Sequence, residues 1–192
     1  PSSPRLVSSN LRTINHRIIA SKRDKRFFDG DRNFGYGGYK YDGRWRPIAK
    51  RIITHYSLLN YCNVLQINAE KGFLLRDLND QNSKMEIYGT ETSQYAIDNS
   101  IIEQKDKICV SEPTKLPFDD NYFDFVIALG VIYTLNLKDA ITAINEINRV
   151  SKKHSFITLA SYEDEKSYFL FKDWTLLGTT ILKKEEWKEI LL

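Results

Sequence analysis

The sequence predicts an α/β fold, a mostly parallel sheet with helices on both faces. Three observations predict it. Between residues 63 and 161 short apolar runs alternate with amphipathic ones. The strongest apolar run, YFDFVIAL at 122–129, has the length of a strand, whereas 137–150 carries Ala140, Ile144, Ile147 and Val150 on one helical side. The 192 residues are 42% hydrophobic and 12% aromatic, enough for one domain with a sizeable core.

The elements follow in order. Residues 1–26 read as a basic, flexible N-terminal arm, and 27–192 as a single domain. Within it, 27–43 (FFDGDRNFGYGGYKYDG) is a loop, because five glycines cannot sustain a regular helix. Residues 45–58 form a helix with Pro47 in its first turn and Ile48, Ile52, Ile53 and Tyr56 as its apolar stripe. The loop and helix of 27–59 precede a core that begins at residue 60. Strands are expected at 63–67, 85–89, 107–110, 122–129, 155–161 and 174–182. Helices are expected at 72–78, from Ser93 as N-cap, at 137–150 and at 183–192. In such sheets ligands bind at the carboxyl ends of the strands.

Charge is unevenly placed. The net of +3 divides into +9 over residues 1–51, with 13 basic against 4 acidic residues, and −6 over the remainder. A basic N-terminal region can meet RNA, another anionic partner or a membrane surface. Residues 1–23 hold no acid, five basic residues and five serines, with Leu6, Leu11, Ile14 and Ile18 near helical spacing. That composition fits either an organellar transit peptide or a disordered basic tail. The expected location is intracellular, cytoplasmic or organellar. No apolar run has the length of a membrane span. Cys62 and Cys109 show no ligand spacing and read as reduced and buried; His16, His55 and His154 are scattered, so no metal site is expected.

Five short segments in sequence order then resemble the class I S-adenosylmethionine (SAM)-dependent methyltransferases. VLQINAEKGFLL at 64–75 resembles their first motif, an apolar strand, an acid, a Gly-rich turn and a helix. EIYGTETSQYA at 86–96 resembles the second, with its acid after the second strand. SEPTKLPF at 111–118 is similar to the segment G-D-A-x-x-L-P-F, DDNYFDFVIAL at 119–129 to the fourth-strand signature, and EINRV at 146–150 to E-I-x-R-V. The resemblance spans about residues 60–162 and implies a Rossmann-like fold with strand order 3-2-1-4-5 plus an antiparallel addition. It also implies SAM as cofactor.

Carried over residue by residue, the resemblance places Gln66, Asn68, Glu70 and Gly72 at the methionine end of the cofactor, with Leu129 beside it. Glu91 falls at the ribose hydroxyls and Glu112 at the adenine edge. Tyr133 lies toward the methyl-transfer region, and it and Tyr39 are the catalytic candidates. The Gly/Tyr loop supplies the substrate side: Tyr36, Tyr39 and Tyr41 to stack or hydrogen-bond, Arg44 to hold an anionic group. The first motif departs from the family pattern. Gln66 replaces its acid, Asn68 and Glu70 replace two of its glycines, and Glu70 brings a negative charge to where the methionine carboxylate is expected. SKKHS at 151–155 stands where many relatives have a K-P-G-G turn. After residue 192 nothing supplies the last antiparallel strand, so either the chain is truncated or a protein partner covers an incomplete sheet edge.

Two functions remain open on the sequence. One is methyl transfer from SAM to a small or anionic acceptor. The other is a catalytically inactive, methyltransferase-like binding or assembly subunit, touching RNA through the basic arm.

Overall fold

The structure, a computed structural model, describes residues 7–8, 11–58, 61–102 and 105–192. Five parallel strands form one sheet in the order β3-β2-β1-β4-β5. They are β1 (Asn63–Ile67), β2 (Glu86–Glu91), β3 (Ile108–Val110), β4 (Phe123–Ala128) and β5 (Ser151–Ile157). β1 pairs in parallel with both β2 and β4, as the motif order requires.

Alternation along the central strands sends side chains to two cores. Leu65 and Ile67 of β1 join Phe123, Val126 and Ala128 of β4 beneath α6 (Leu137–Val150), with Trp187 of α8 (Lys184–Leu191) closing the cluster. Val64, Phe125 and Ile127 point the other way, onto α3 (Arg46–His55) and α4 (Phe73–Gln81). Both faces are thus covered, which is why these strands read as nearly continuous apolar runs. Gly89 in β2 is fixed by packing: a Cβ there would lie 3.0 Å from the Ala69 Cβ and from Leu75 Cδ1.

The EINRV segment earns its residue types here. Glu146 accepts a hydrogen bond from the Leu116 amide at 2.8 Å. Arg149 donates to the carbonyls of Leu116 and Phe118 and to Asp120. The end of α6 therefore clamps the 116–120 loop that leads into β4. The Arg149 hydrogen bonds hold the Glu146 carboxyl below its ordinary range.

Three expectations need correction. Residues 174–182 are not a strand: α7 (Glu165–Trp174), which Asp164 and Ser167 cap at its start, ends there, and the chain continues as a loop to β7 (Leu182–Lys183). β7 pairs in parallel with β6 (Ser161–Tyr162), and no antiparallel pairing occurs among the described residues. The fifth strand covers 151–157 rather than 155–161. SKKHS pairs with β4 by its backbone while its side chains face largely outward, so no apolar signal marks it.

The N-terminal segment also differs from the loose arm expected of it. α1 (Ile14–Ser21) and α2 (Lys25–Asp29) pack on the domain beside α5 (Gln94–Asp98), with Ala20, Phe27 and Phe28 buried against Ala96 and Leu176. Arg12 donates to the Trp174 carbonyl, and Arg17 to those of Lys172 and Leu176. Basic residues here are turned inward onto the backbone carbonyls of Lys172, Trp174 and Leu176. Cys62 and Cys109 are free thiols and half-buried rather than buried.

Candidate active site

The site is organised by the loop from β1 to α4. Asn68, Glu70 and Gly72 have φ of 51°, 57° and 76°. All three positions of the departed Gly motif therefore keep the left-handed backbone, although two carry side chains. Asn tolerates that region; for Glu it costs on the order of 1–2 kcal/mol. Gly72 cannot be replaced so easily, since a Cβ would meet Ile102 Cγ1 at 2.5 Å. The loop is tied to β2 by the Ala69 amide donating to the Thr90 carbonyl at 2.8 Å.

Glu91, at the end of β2, is fully buried. Its carboxylate accepts from the Glu70 amide at 2.8 Å and the Ser93 amide at 2.9 Å. It also takes Arg23 side-on, Nε at 3.3 Å and Nη2 at 3.0 Å to Oε1 and 3.0 Å to Oε2. The guanidinium lies 5.3 Å and 5.5 Å from the ring centroids of Phe27 and Phe28. Ser93 Oγ donates to the Arg23 carbonyl, fixing the segment from its other side.

The Gly/Tyr loop folds over the β1–α4 turn as an aromatic stack. Tyr36 and Tyr39 have ring centroids 4.2 Å apart, and Tyr39 lies 4.5 Å from Phe73. The Tyr36 hydroxyl donates to Glu70. Lys71 Nζ meets Asp29 Oδ2 at 2.6 Å, and the Tyr95 hydroxyl and Tyr39 amide donate to the same carboxylate. Although burial pushes Asp29 upward, the Lys71 ammonium and these donors hold it below the usual carboxylate range. Burial pushes the Glu70 carboxyl up, more than Arg23 and the tyrosine hydroxyls pull it down. Burial and then the Glu70 charge push the Tyr36 and Tyr39 hydroxyls up, so both remain protonated at neutral pH.

Between loop and sheet lies a cavity of about 820 Å³. Gln66, Asn68, Glu70, Leu129, Tyr36, Tyr39 and Arg44 from the sequence reading line it together. Arg44 is paired with Asp42, Nη2 to Oδ2 at 2.5 Å. Gly72 shapes the turn without lining the cavity. Tyr41 turns away to donate to Asp77 at 2.5 Å. Glu112 is exposed and outside the lining, and Tyr133 lies in a smaller adjoining cavity. Arg23, Asp29, Trp45 and Phe73 were not singled out in the sequence, where nothing marks an arginine in a basic stretch as the partner of an acid 68 positions later.

The residues fit SAM at one end. Gln66 Oε1 and Asn68 Oδ1 are buried acceptors without a partner among the described residues, and they suit an ammonium group. At the ribose end the fit requires a change, because Arg23 occupies both Glu91 oxygens. No group of three His, Cys, Asp or Glu side chains that could hold a metal occurs among the described residues. Nor is any helix there long and apolar enough to cross a membrane.

A methyltransferase-domain family model matches residues 65–159. That part of the chain is similar to a methyltransferase domain. The chain shares its fold with solved structures at low identity. YcgJ from Bacillus subtilis is 17% identical with a TM-score of 0.60, over 74% of this chain and 64% of that one. A chain from the Haloferax volcanii complex that contains the Trm112 methyltransferase activator is 21% identical with a TM-score of 0.57, over 78% and 71%. The [4+2]-cyclase SpnF is 20% identical with a TM-score of 0.60, over 79% and 59%. The chain therefore spans between three fifths and three quarters of these proteins' lengths. No curated protein matches the sequence.

Proposed function

We propose that the chain binds SAM in the larger cavity and transfers its methyl group to a small or anionic acceptor. The observation that carries this reading is the pair of partnerless buried acceptors, Gln66 Oε1 and Asn68 Oδ1, beneath a loop that keeps the left-handed backbone at 68, 70 and 72. These oxygens would accept from the ammonium group. Glu91 would accept from the ribose hydroxyls once Arg23 has released it. Bound SAM supplies an electrophilic methyl on a sulfonium; the protein supplies alignment. The aromatic stack of Tyr36, Tyr39 and Phe73 excludes water over the turn.

Where the acceptor must lose a proton, Glu70 is the group to hold it. Burial raises its carboxyl above the ordinary range and it borders both cavities, whereas Tyr36 and Tyr39, being protonated, can donate but not accept a proton. The experiment is calorimetric titration with SAM and S-adenosylhomocysteine. Gln66→Leu should weaken both by about tenfold, the worth of a hydrogen bond to a charged group. Equal affinity in the variant would remove the methionine-end assignment.

A second reading, an assembly subunit, draws on the sheet edge. β5 ends the sheet, and its Lys152, Lys153 and Phe156 are exposed. Its unpaired outer edge among the described residues suits an added strand from an acidic protein partner. The inward-facing Arg12, Arg17 and Arg23 leave RNA less to bind.

A further inference from the structure

A second cavity of about 320 Å³ adjoins the first, and Tyr36, Arg44, Glu70, Leu129 and Gly130 border both. The two differ in character. The first presents partnerless acceptors. The second is walled by Phe27, Trp174, Leu176 and Leu177 and carries Arg23, Arg32 and Arg44.

Only one of these arginines has no carboxylate hydrogen-bonded to it among the described residues. Arg23 is held by Glu91 and Arg44 by Asp42. Arg32 instead donates through Nη1 to the carbonyls of Gly35 and Tyr36, at 2.8 and 3.1 Å. Its Nε, on the edge that arginine uses for side-on recognition of an oxyanion, is buried without a partner among the described residues. A guanidinium does not lose its proton, so this donor keeps its charge and stays unmet. The same edge, Nε with Nη2, is the one by which Arg23 holds Glu91. Positive charge is dense around it: burial and the neighbouring Arg17 and Arg32 push the Arg12 guanidinium down.

We propose that the smaller cavity binds a small organic acid, its carboxylate on the Nε–Nη2 edge of Arg32 and its apolar body against Phe27 and Leu176. As the acceptor of a methyl group this acid would rest on the function proposed above; as a ligand it does not. A carboxylate suits the site better than a phosphate. One uncommitted arginine can balance one negative charge, and the Glu70 carboxylate at the boundary disfavours a second. The apolar walls select against a small inorganic anion for the same reason that they leave room for a hydrocarbon body.

The test uses the full chain without SAM, titrated with benzoate, benzyl alcohol and phenylphosphonate, and the same with Arg32→Met and Arg32→Lys. Benzoate should bind, benzyl alcohol should bind at least about tenfold more weakly, and Arg32→Met should lose about tenfold or more for benzoate. Arg32→Lys keeps the charge but not the planar fork and should also bind benzoate more weakly, which guards against a Met variant that fails to fold. No benzoate binding up to about 10 mM would overturn the proposal. So would equal affinity for benzoate and benzyl alcohol, equal affinity in native and Arg32 variants, or tighter binding of phenylphosphonate than of benzoate. A SAM titration run alongside separates the two readings, since benzoate binding here requires no methyl donor.

Discussion

Arg23 holds the carboxylate of Glu91 side-on, Nε at 3.3 Å and Nη2 at 3.0 Å, and the acid is fully buried. The residue that the family pattern assigns to the cofactor's ribose is thus neutralised by the N-terminal segment of its own chain. Buried carboxylates need such a partner. On the proposed function, SAM would reach Glu91 only once Arg23 has let it go.

Arg23→Ala should therefore be costly. It leaves a buried carboxylate with amide donors only, and such losses run to about 3–5 kcal/mol. Urea denaturation of Arg23→Ala against native protein measures it, and the double variant Arg23→Ala with Glu91→Gln should recover much of the loss. Native stability in Arg23→Ala would mean that water already compensates Glu91.

Deleting residues 1–26 should lower the melting temperature by more than about 5 °C, since a loss of several kcal/mol moves a chain of this length by that much. Ala20, Arg12 and Arg17 all go with the segment. An unchanged melting temperature would show the segment to be dispensable to the fold.

The raised Glu70 carboxyl gives a pH dependence with a definite sign. A folded-state pKa above the unfolded one means that the native state binds the proton more tightly. The contribution of Glu70 is then fully present below its unfolded pKa, near 4.5, and is lost as pH rises through the folded value. Glu70→Gln should flatten the decline of stability above that point, by up to about 1.4 kcal/mol per pH unit. Parallel stability–pH curves for native and Glu70→Gln would contradict the shift.

Gly72→Ala should cost on the order of 1–3 kcal/mol, because φ of 76° and the 2.5 Å approach to Ile102 Cγ1 leave no place for a Cβ. Glu70→Gly at φ 57° should by contrast be neutral or stabilising by about 1 kcal/mol. A reversed order, read from chemical denaturation, would mean that the loop relaxes on substitution.

These residues show what the sequence made legible. α6 was readable to the residue because Ala140, Ile144, Ile147 and Val150, all buried, recur at helical period. β1 and β4 were readable because both of their faces are covered. β5 was not, since an edge strand faced with Lys152 and Lys153 has no apolar pattern to show. α7 was missed because Tyr168, Phe169, Leu170 and Phe171 are consecutive and none of its residues is buried, so neither period nor core marks it. In the site, Gln66, Asn68, Glu70 and Leu129 of the motifs line the cavity and Glu112 does not, and the left-handed backbone at 68 and 70 carried no mark in the sequence. Substitution of a glycine changes the residue type, but the neighbouring hydrogen bonds keep the turn. The partnerships of Arg23 with Glu91 and of Lys71 with Asp29 join distant segments, and residue types alone do not specify such pairs.

The central claim is that the larger cavity takes SAM with Glu91 released from Arg23. It is tested most directly by calorimetric titration of SAM into the native chain and into Arg23→Met. That variant keeps a stem against Phe27 and Phe28 but gives up the charge, and circular dichroism confirms that it is folded. The account predicts measurable binding by the native protein and an affinity about tenfold higher in the folded variant, where Glu91 no longer has to be freed. Binding by neither protein, or weaker binding by the folded Arg23→Met, would contradict it.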